Sequence, residues 1–486
     1  MPQAVTQLVD SSLETPVRHR WLSRRQIAAA LIVLLLLSAI PVGIRWYRLS
    51  WLPNVPAPFD YEAVGKIPNP ADVDANFYFE QALAQHERSR ADFDPFDRFV
   101  EHGEPLDWSS IPEADRDWVR RSQPALDTFR QGGRCPTIAT SSPSDATNAA
   151  QIYRLRGLWD LHRLACLDAL RRLDEGETEE AAEVLHDAFR ASRHLGYRSP
   201  WIERHLGAIC HLILLPGWHQ WSRHPDVSAE DLEQALARLR NDWKLTPRFS
   251  ESIKSEFRPS LDRSSVSTHL QTLLDQQIWR FVDRHGKWDS RPVTSRLNSA
   301  FPGWQNPILW TIGEPELTMR ASKLWMTHEL QTCDLPFSRQ SFCAGHRIQV
   351  SLDPELTAGL TPAEMSRRME QVLFPQIVMS LSPYLETYRT EAGRQAVLET
   401  AFELQILLRR FGNAERTVAE PTLANFAWPV DPCSRDERPI QHRLTDQGLL
   451  IWSIGRDADD DDGHHSSVRD DHQDDELAFI RWPYGQ

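Results

Sequence analysis

Eighteen consecutive residues without a charge, Ile27–Ile44 (IAAALIVLLLLSAIPVGI), constrain this chain more than any other feature. As a helix the run reaches about 27 Å, enough to cross a hydrocarbon core with help from its flanks. Trp21 stands on one side, and Trp46, Tyr47 and Trp51 on the other, where amphipathic rings settle at a membrane interface. Pro41, near one end, is tolerated in a membrane helix. Arg18, Arg20, Arg24 and Arg25 precede the run, and only Arg45 and Arg48 follow it closely. The positive-inside bias therefore puts residues 1–25 in the cytoplasm, the transmembrane helix over 26–44, and the bulk of the chain outside. A cleaved signal peptide is the competing reading, but no small-x-small site follows Pro41. No Cys suited to a lipoprotein anchor follows the run either. The expected location is the inner (cytoplasmic) membrane, single-pass.

The remaining chain is long enough for a substantial core: 41% of the 486 residues are apolar and 18 are Trp. A net charge of −14 argues against nucleic acid as a partner. Ten acids against Arg469 between Asp457 and Glu476 account for −9 of it, so elsewhere the chain is close to neutral.

Residues 45–75 carry Pro53, Pro56, Pro58, Pro68 and Pro70 and read as an extended spacer. Helical periodicity then dominates a domain over 76–390. Ile152, Leu155, Trp159, His162, Cys166, Leu170 and Leu173 recur at steps of three and four, and Glu175-Gly176 breaks the pattern. Ala181, Leu185, Ala188, Ser192 and Leu195 line the next helix, with Gly196 as its stop. A third runs from about Pro200 to Arg223 across Pro216. The next starts at Ser228, which forms a capping-box-like start with Asp231. The stretch from Leu170 to Phe189 resembles a tetratricopeptide hairpin, but no second copy follows 34 residues on. The expectation is an irregular α-solenoid of helical hairpins.

Residues 391–486 change character. Val397, Ala401, Leu404, Leu408 and Phe411 mark a helix, followed by strand-like runs Ile440–Leu444, Leu449–Ile454 and Leu477–Trp482, with Asp446-Gln447-Gly448 turning between the first two. The expected module is a small α+β cap with a three-stranded antiparallel sheet, interrupted by an acidic loop over 457–476. Asp431-Pro432, the run Leu450–Asp457, and Asp474-Asp475 before a strand ending in Trp482 resemble the globular part of type II secretion major pseudopilins. The whole chain resembles a group of bacterial envelope proteins with an anchor, a helical middle and this ending. The pseudopilin resemblance implies calcium between the last two strands. Two departures stand out. The stretch Ser23–Ala28 lacks a prepilin cleavage motif, so the chain is not expected to be processed as a pilin. Ala458 and the lone Gly463 replace the glycines of the family loop.

Asp457, Asp459, Asp461, Asp474 and Asp475 are the candidate ligands, since a hard cation takes six to eight oxygens. The bland alternative is a solvated acidic loop. His464, His465 and His472 lack the spacing of a transition-metal site. Cys333 and Cys343 bracket a turn-rich loop suited to a disulfide, whereas Cys166 and Cys210 on apolar faces suit buried thiols. His328-Glu329 and His86-Glu87 lack the second His of a zincin, and no nucleophile elbow, P-loop or paired CxxC occurs. The reading is a membrane-anchored scaffold that binds a protein partner, with an extracytoplasmic hydrolase as the alternative.

Overall fold

The computed structural model describes residues 24–52, 54–60, 74–89, 108–136, 149–195, 201–260, 379–410, 423–445, 448–455 and 476–481, with scattered positions between. Mainly helical structure, an apolar N-terminal helix and a small antiparallel sheet are all present. Helix α1 (Arg24–Ser50) contains the charge-free run and Pro41, and is long and apolar enough to cross a membrane.

The helical body contains α2 (Ala75–Ser89), α3 (Glu113–Arg134), α4 (Ala149–Asp174), α5 (Thr178–His194), α6 (Trp201–Arg223), α7 (Ala229–Trp243) and α8 (Phe249–Ser260). Their ends follow local chemistry. α4 stops where Gly176 turns to φ +82°, and the amides of Gly176 and Glu177 return to Leu173 and Arg172. α7 starts at Ser228, whose hydroxyl accepts from the Asp231 amide while the Asp231 carboxylate accepts from the Ser228 amide. Pro216 sits inside α6 without ending it.

Small residues set the distances between these helices. A Cβ on Gly133 of α3 would fall 2.1 Å from the Asp187 carbonyl oxygen of α5, and one on Gly207 of α6 2.6 Å from the Ser192 oxygen. The contact at Gly133 is tied by charge: Arg130 Nε and Arg134 Nη2 lie 2.8 and 2.7 Å from Asp187 Oδ2. Leu158, Leu161, Leu164, Ala165, Phe189 and Trp218 fill the interior between them.

Helix α9 (Met379–Arg410) runs across the expected boundary at 390/391 and is buried on two sides. Leu398, Phe402 and Ile406 join the core of the body. Val397, Ala401 and Leu404 join a second core with Leu423, Ile440, Leu449 and Ile451. At 100° per residue these sets lie on different faces of one helix. In the cap, β1 (Gln441–Leu444) pairs antiparallel with β2 (Gly448–Ser453), with Leu444 opposite Leu449. Segment β3 (Glu476–Arg481) runs antiparallel along β2, with Ser453 opposite Glu476.

Two expectations meet further detail. Val55, in the proline-rich stretch, is buried at 6% exposure, so the segment is enclosed by protein at that point. Cys166 and Cys210 are buried free thiols, as their apolar helix faces imply, and Cys333 is buried; its expected partner Cys343 lies outside the described residues.

Gly133→Ala should destabilise the protein by about 2 kcal/mol or more through overpacking against the Asp187 carbonyl. Gly43→Ala, with nothing within 4 Å of the new Cβ, should leave the melting temperature unchanged. Equal melting of the two variants would refute the close α3–α5 approach.

Candidate functional site

Among the described residues, a dense group of buried charge lies where α9 meets side chains of α5 and α6. Glu391 of α9 is completely buried. Arg193 Nη2 of α5 lies 2.6 Å from its Oε1 as an ion pair, and Arg204 of α6 binds its Oε2. His211, one face along α6, places Nδ1 3.6 Å from Oε1. Each arginine is held by more than the carboxylate. Arg193 donates to the Gly207 carbonyl and the Thr246 hydroxyl, both at 3.2 Å. Its guanidinium carbon also lies 5.0 Å over the Phe189 ring and 5.1 Å over Trp243. Arg204 lies 4.9 Å over the Tyr388 ring.

The electrostatics follow from this geometry. Burial alone would push the Glu391 carboxyl up, but Arg193 and Arg204 outweigh it and hold the group well below the usual carboxylate range. Burial brings His211 down to about 4, against the opposing pull of Glu391. The cluster is therefore an ionised carboxylate between two guanidiniums beside a neutral imidazole. Such a carboxylate neither accepts nor gives a proton near neutrality. None of Arg193, Glu391 or His211 has accessible side-chain surface, so the arrangement is a closed ionic lock.

Other histidines shift in the same direction. Burial brings His162 and His194 to about 4 and His219 to about 3, and lowers His186. Two of these rings pack edge-on against aromatics, His186 on Trp218 (4.7 Å) and His162 on Phe129 (4.9 Å). His86 contacts Asp160 at 3.5 Å. That is a helix-to-helix contact between α2 and α4, consistent with the failed zincin spacing.

A second polar knot secures the cap. The Asp431 carboxylate accepts from the Cys433 amide (2.8 Å), the Ser453 hydroxyl (2.7 Å) and the Ile454 amide (2.8 Å). It thus pins the end of β2 to the turn at Pro432. Gly393 of α9 abuts the knot: its Cβ would lie 2.7 Å from Ser453 Oγ and 2.9 Å from Cys433 Sγ. Asp431 and Ser453 belong to the residues carrying the pseudopilin resemblance.

Asp457, Asp459, Asp461, Asp474 and Asp475 lie outside the described residues, as do His464, His465, His472 and His328. Among the described residues no group of three or more His, Cys, Asp or Glu is arranged to hold a metal. Sequence periodicity missed the Glu391 lock because only one face of its helix was read. The signal was present: Glu391, Gln395, Leu398, Phe402 and Gln405 also recur at steps of three and four.

No protein-family model, curated protein or solved structure matches the chain.

Glu391→Gln should cost about 3–5 kcal/mol, because it leaves two buried guanidiniums without their counter-charge. Denaturant titration is the measurement, and a loss under about 1 kcal/mol would refute the lock. The histidines predict acid lability. A folded-state value below the ordinary 6.5 means that the unfolded chain binds protons first as the pH falls. Their stabilisation is therefore complete above about 6.5 and lost toward 4, with His162, His194 and His211 each contributing on the order of 1–2 kcal/mol between pH 7 and pH 5. Asp115, pushed up to about 6 by burial, works in the opposite direction and offsets one of them. The unfolding midpoint should drop steeply between pH 6.5 and 5, and a flat profile there would contradict neutral buried imidazoles.

Proposed function

We propose that this chain is a single-pass protein of the cell envelope whose helical domain, outside the cytoplasm, acts as a scaffold that binds a protein partner, with calcium ordering its cap. The observation that carries the anchor is α1, a helix over Arg24–Ser50 whose membrane-length stretch has no part buried inside the protein. The arginine excess before it supports a cytoplasmic N-terminus. The body fits an irregular solenoid because packing is both sequential and skipping: α4 touches α5 and α6, and α5 touches α6 and α7. The buried carboxylates Asp187 and Glu391 are tied to arginines of other helices, which favours a binding scaffold over the hydrolase alternative.

Calcium is supported by the donor set and by closure. Ser453 faces Glu476 across β2 and β3, so a segment with nine aspartates leaves and re-enters the sheet at neighbouring positions. Like charges confined this way repel, and a hard cation relieves that repulsion through shared carboxylates. Asp457, Asp459, Asp461, Asp474 and Asp475 would hold it. The Asp431 knot supplies a fixed base on one side.

Full-length protein, retaining α9 with both its faces covered, should melt higher in calcium than in chelator. An ion binding only the folded form adds about 2.7 kcal/mol at 100 times its dissociation constant. Asp457→Ala should abolish the difference and Asp446→Ala should keep it. A defined stoichiometric partner should co-purify from native membranes in calcium and dissociate in chelator. Identical melting and identical co-purifying protein in both conditions would leave a solvated acidic loop.

A further inference from the structure

The chain between α1 and the body holds three observations that belong together. Partial burial begins at Pro41 and recurs at Arg45 and Leu49, four residues apart, then at Leu52, whereas the described side chains from Arg25 to Ile40 are exposed. Pro41, Arg45 and Leu49 thus share one face of the emerging helix, and that face is less exposed than the rest. Trp46, Tyr47 and Trp51, on its other sides, are 71%, 66% and 78% exposed. Val55 then reaches 6% exposure, a value that requires protein on nearly every side.

Val55 lies five residues beyond Ser50, where α1 ends, and five residues span at most about 18 Å. The surface that encloses it therefore lies within that distance of the end of the membrane helix. The composition of the stretch points to what lies on its open side. From Gln26 to Phe59 there is no Asp or Glu, while Arg45 and Arg48 stand among Trp46, Tyr47 and Trp51. Aromatic rings of this kind settle at headgroup level, and each basic residue near a negatively charged leaflet contributes about 1 kcal/mol of attraction. An acid anywhere in this stretch would oppose such contact.

We infer that the domain is seated directly on the membrane, with residues 45–59 forming a collar that contacts anionic phospholipid headgroups and is pinned to the domain at Val55. This rests on the anchor reading of α1. The proline-rich stretch is then a short fixed joint up to Phe59.

The test uses the full chain in nanodiscs of phosphatidylcholine alone or mixed with phosphatidylglycerol. A fluorophore on Ala57→Cys, with the unmutated chain as labelling blank, is read against lipids carrying a nitroxide on the headgroup. Quenching of at least twofold is expected, stronger with phosphatidylglycerol, and the difference should vanish in Arg45→Gln/Arg48→Gln. Val55→Asp should release the joint and raise tryptic cleavage after Arg48 at least tenfold. An unquenched label on protein that still resists carbonate extraction would overturn the seating while leaving the anchor intact. Equal quenching in both lipid mixtures would overturn the anionic contact. Protein released by carbonate would instead remove the anchor reading itself, and the inference with it.

Discussion

The described fold depends on one carboxylate. Glu391 is buried without solvent, and an ionised carboxyl there would be prohibitive if it stood alone. Arg193 and Arg204 come from two successive helices, so the charge is satisfied only when α5, α6 and α9 meet in one arrangement. Apolar packing of Leu398 and Phe402 would tolerate small shifts of α9 along the body. The lock does not, because displacing it strands two guanidiniums as well as the carboxylate. Specificity of register is what such a device contributes, more than net stability.

Around that fixed point, α9 makes the cap and the body a single mechanical unit. Gln405 donates to the Ser222 hydroxyl, and Arg409 to the carbonyls of Ser222 and His224, so the body-facing stripe is anchored again two turns beyond Phe402. Arg240 of α7 adds pairs to Glu399 and Glu403 on the flank. The opposite stripe meets the Asp431 knot at Gly393, two residues from Glu391. A fragment beginning near residue 390 would expose Leu398, Phe402 and Ile406 and leave Glu391 without counter-charge. The cap is thus a covalent and energetic extension of the body.

How much of this was legible in the sequence follows from which physics each feature uses. The apolar run, the Ser228–Asp231 capping box and the break at Gly176 are local, and each appears where the residues imply it. The helix after residue 390 was also recognisable, but Val397, Ala401 and Leu404 revealed only its cap-facing stripe. A helix covered on both sides shows two overlapping periodicities, and reading one hides the other. The start at Met379 rather than 391 was missed for the same reason. Arg193 and Arg204 gave no signal because an arginine beside an apolar stripe reads as a solvated flank until its partner, nearly two hundred residues away, is placed. Asp431 was noticed through resemblance, yet its role as acceptor for Ser453 and Ile454 is a matter of three-dimensional closure.

Among the described residues, these contacts tie successive elements together. α1 passes into a sheltered turn and a buried Val55, the body helices are cross-tied by Asp187 and Glu391, and α9 carries the same register into the cap. Any ligand that stabilises the cap must also favour the conformation of α9 to which Arg193 and Arg204 are bound, because the two faces belong to one helix. The coupling requires no moving part. It follows from Gly393 and Glu391 being two residues apart on a helix whose opposite sides are both buried.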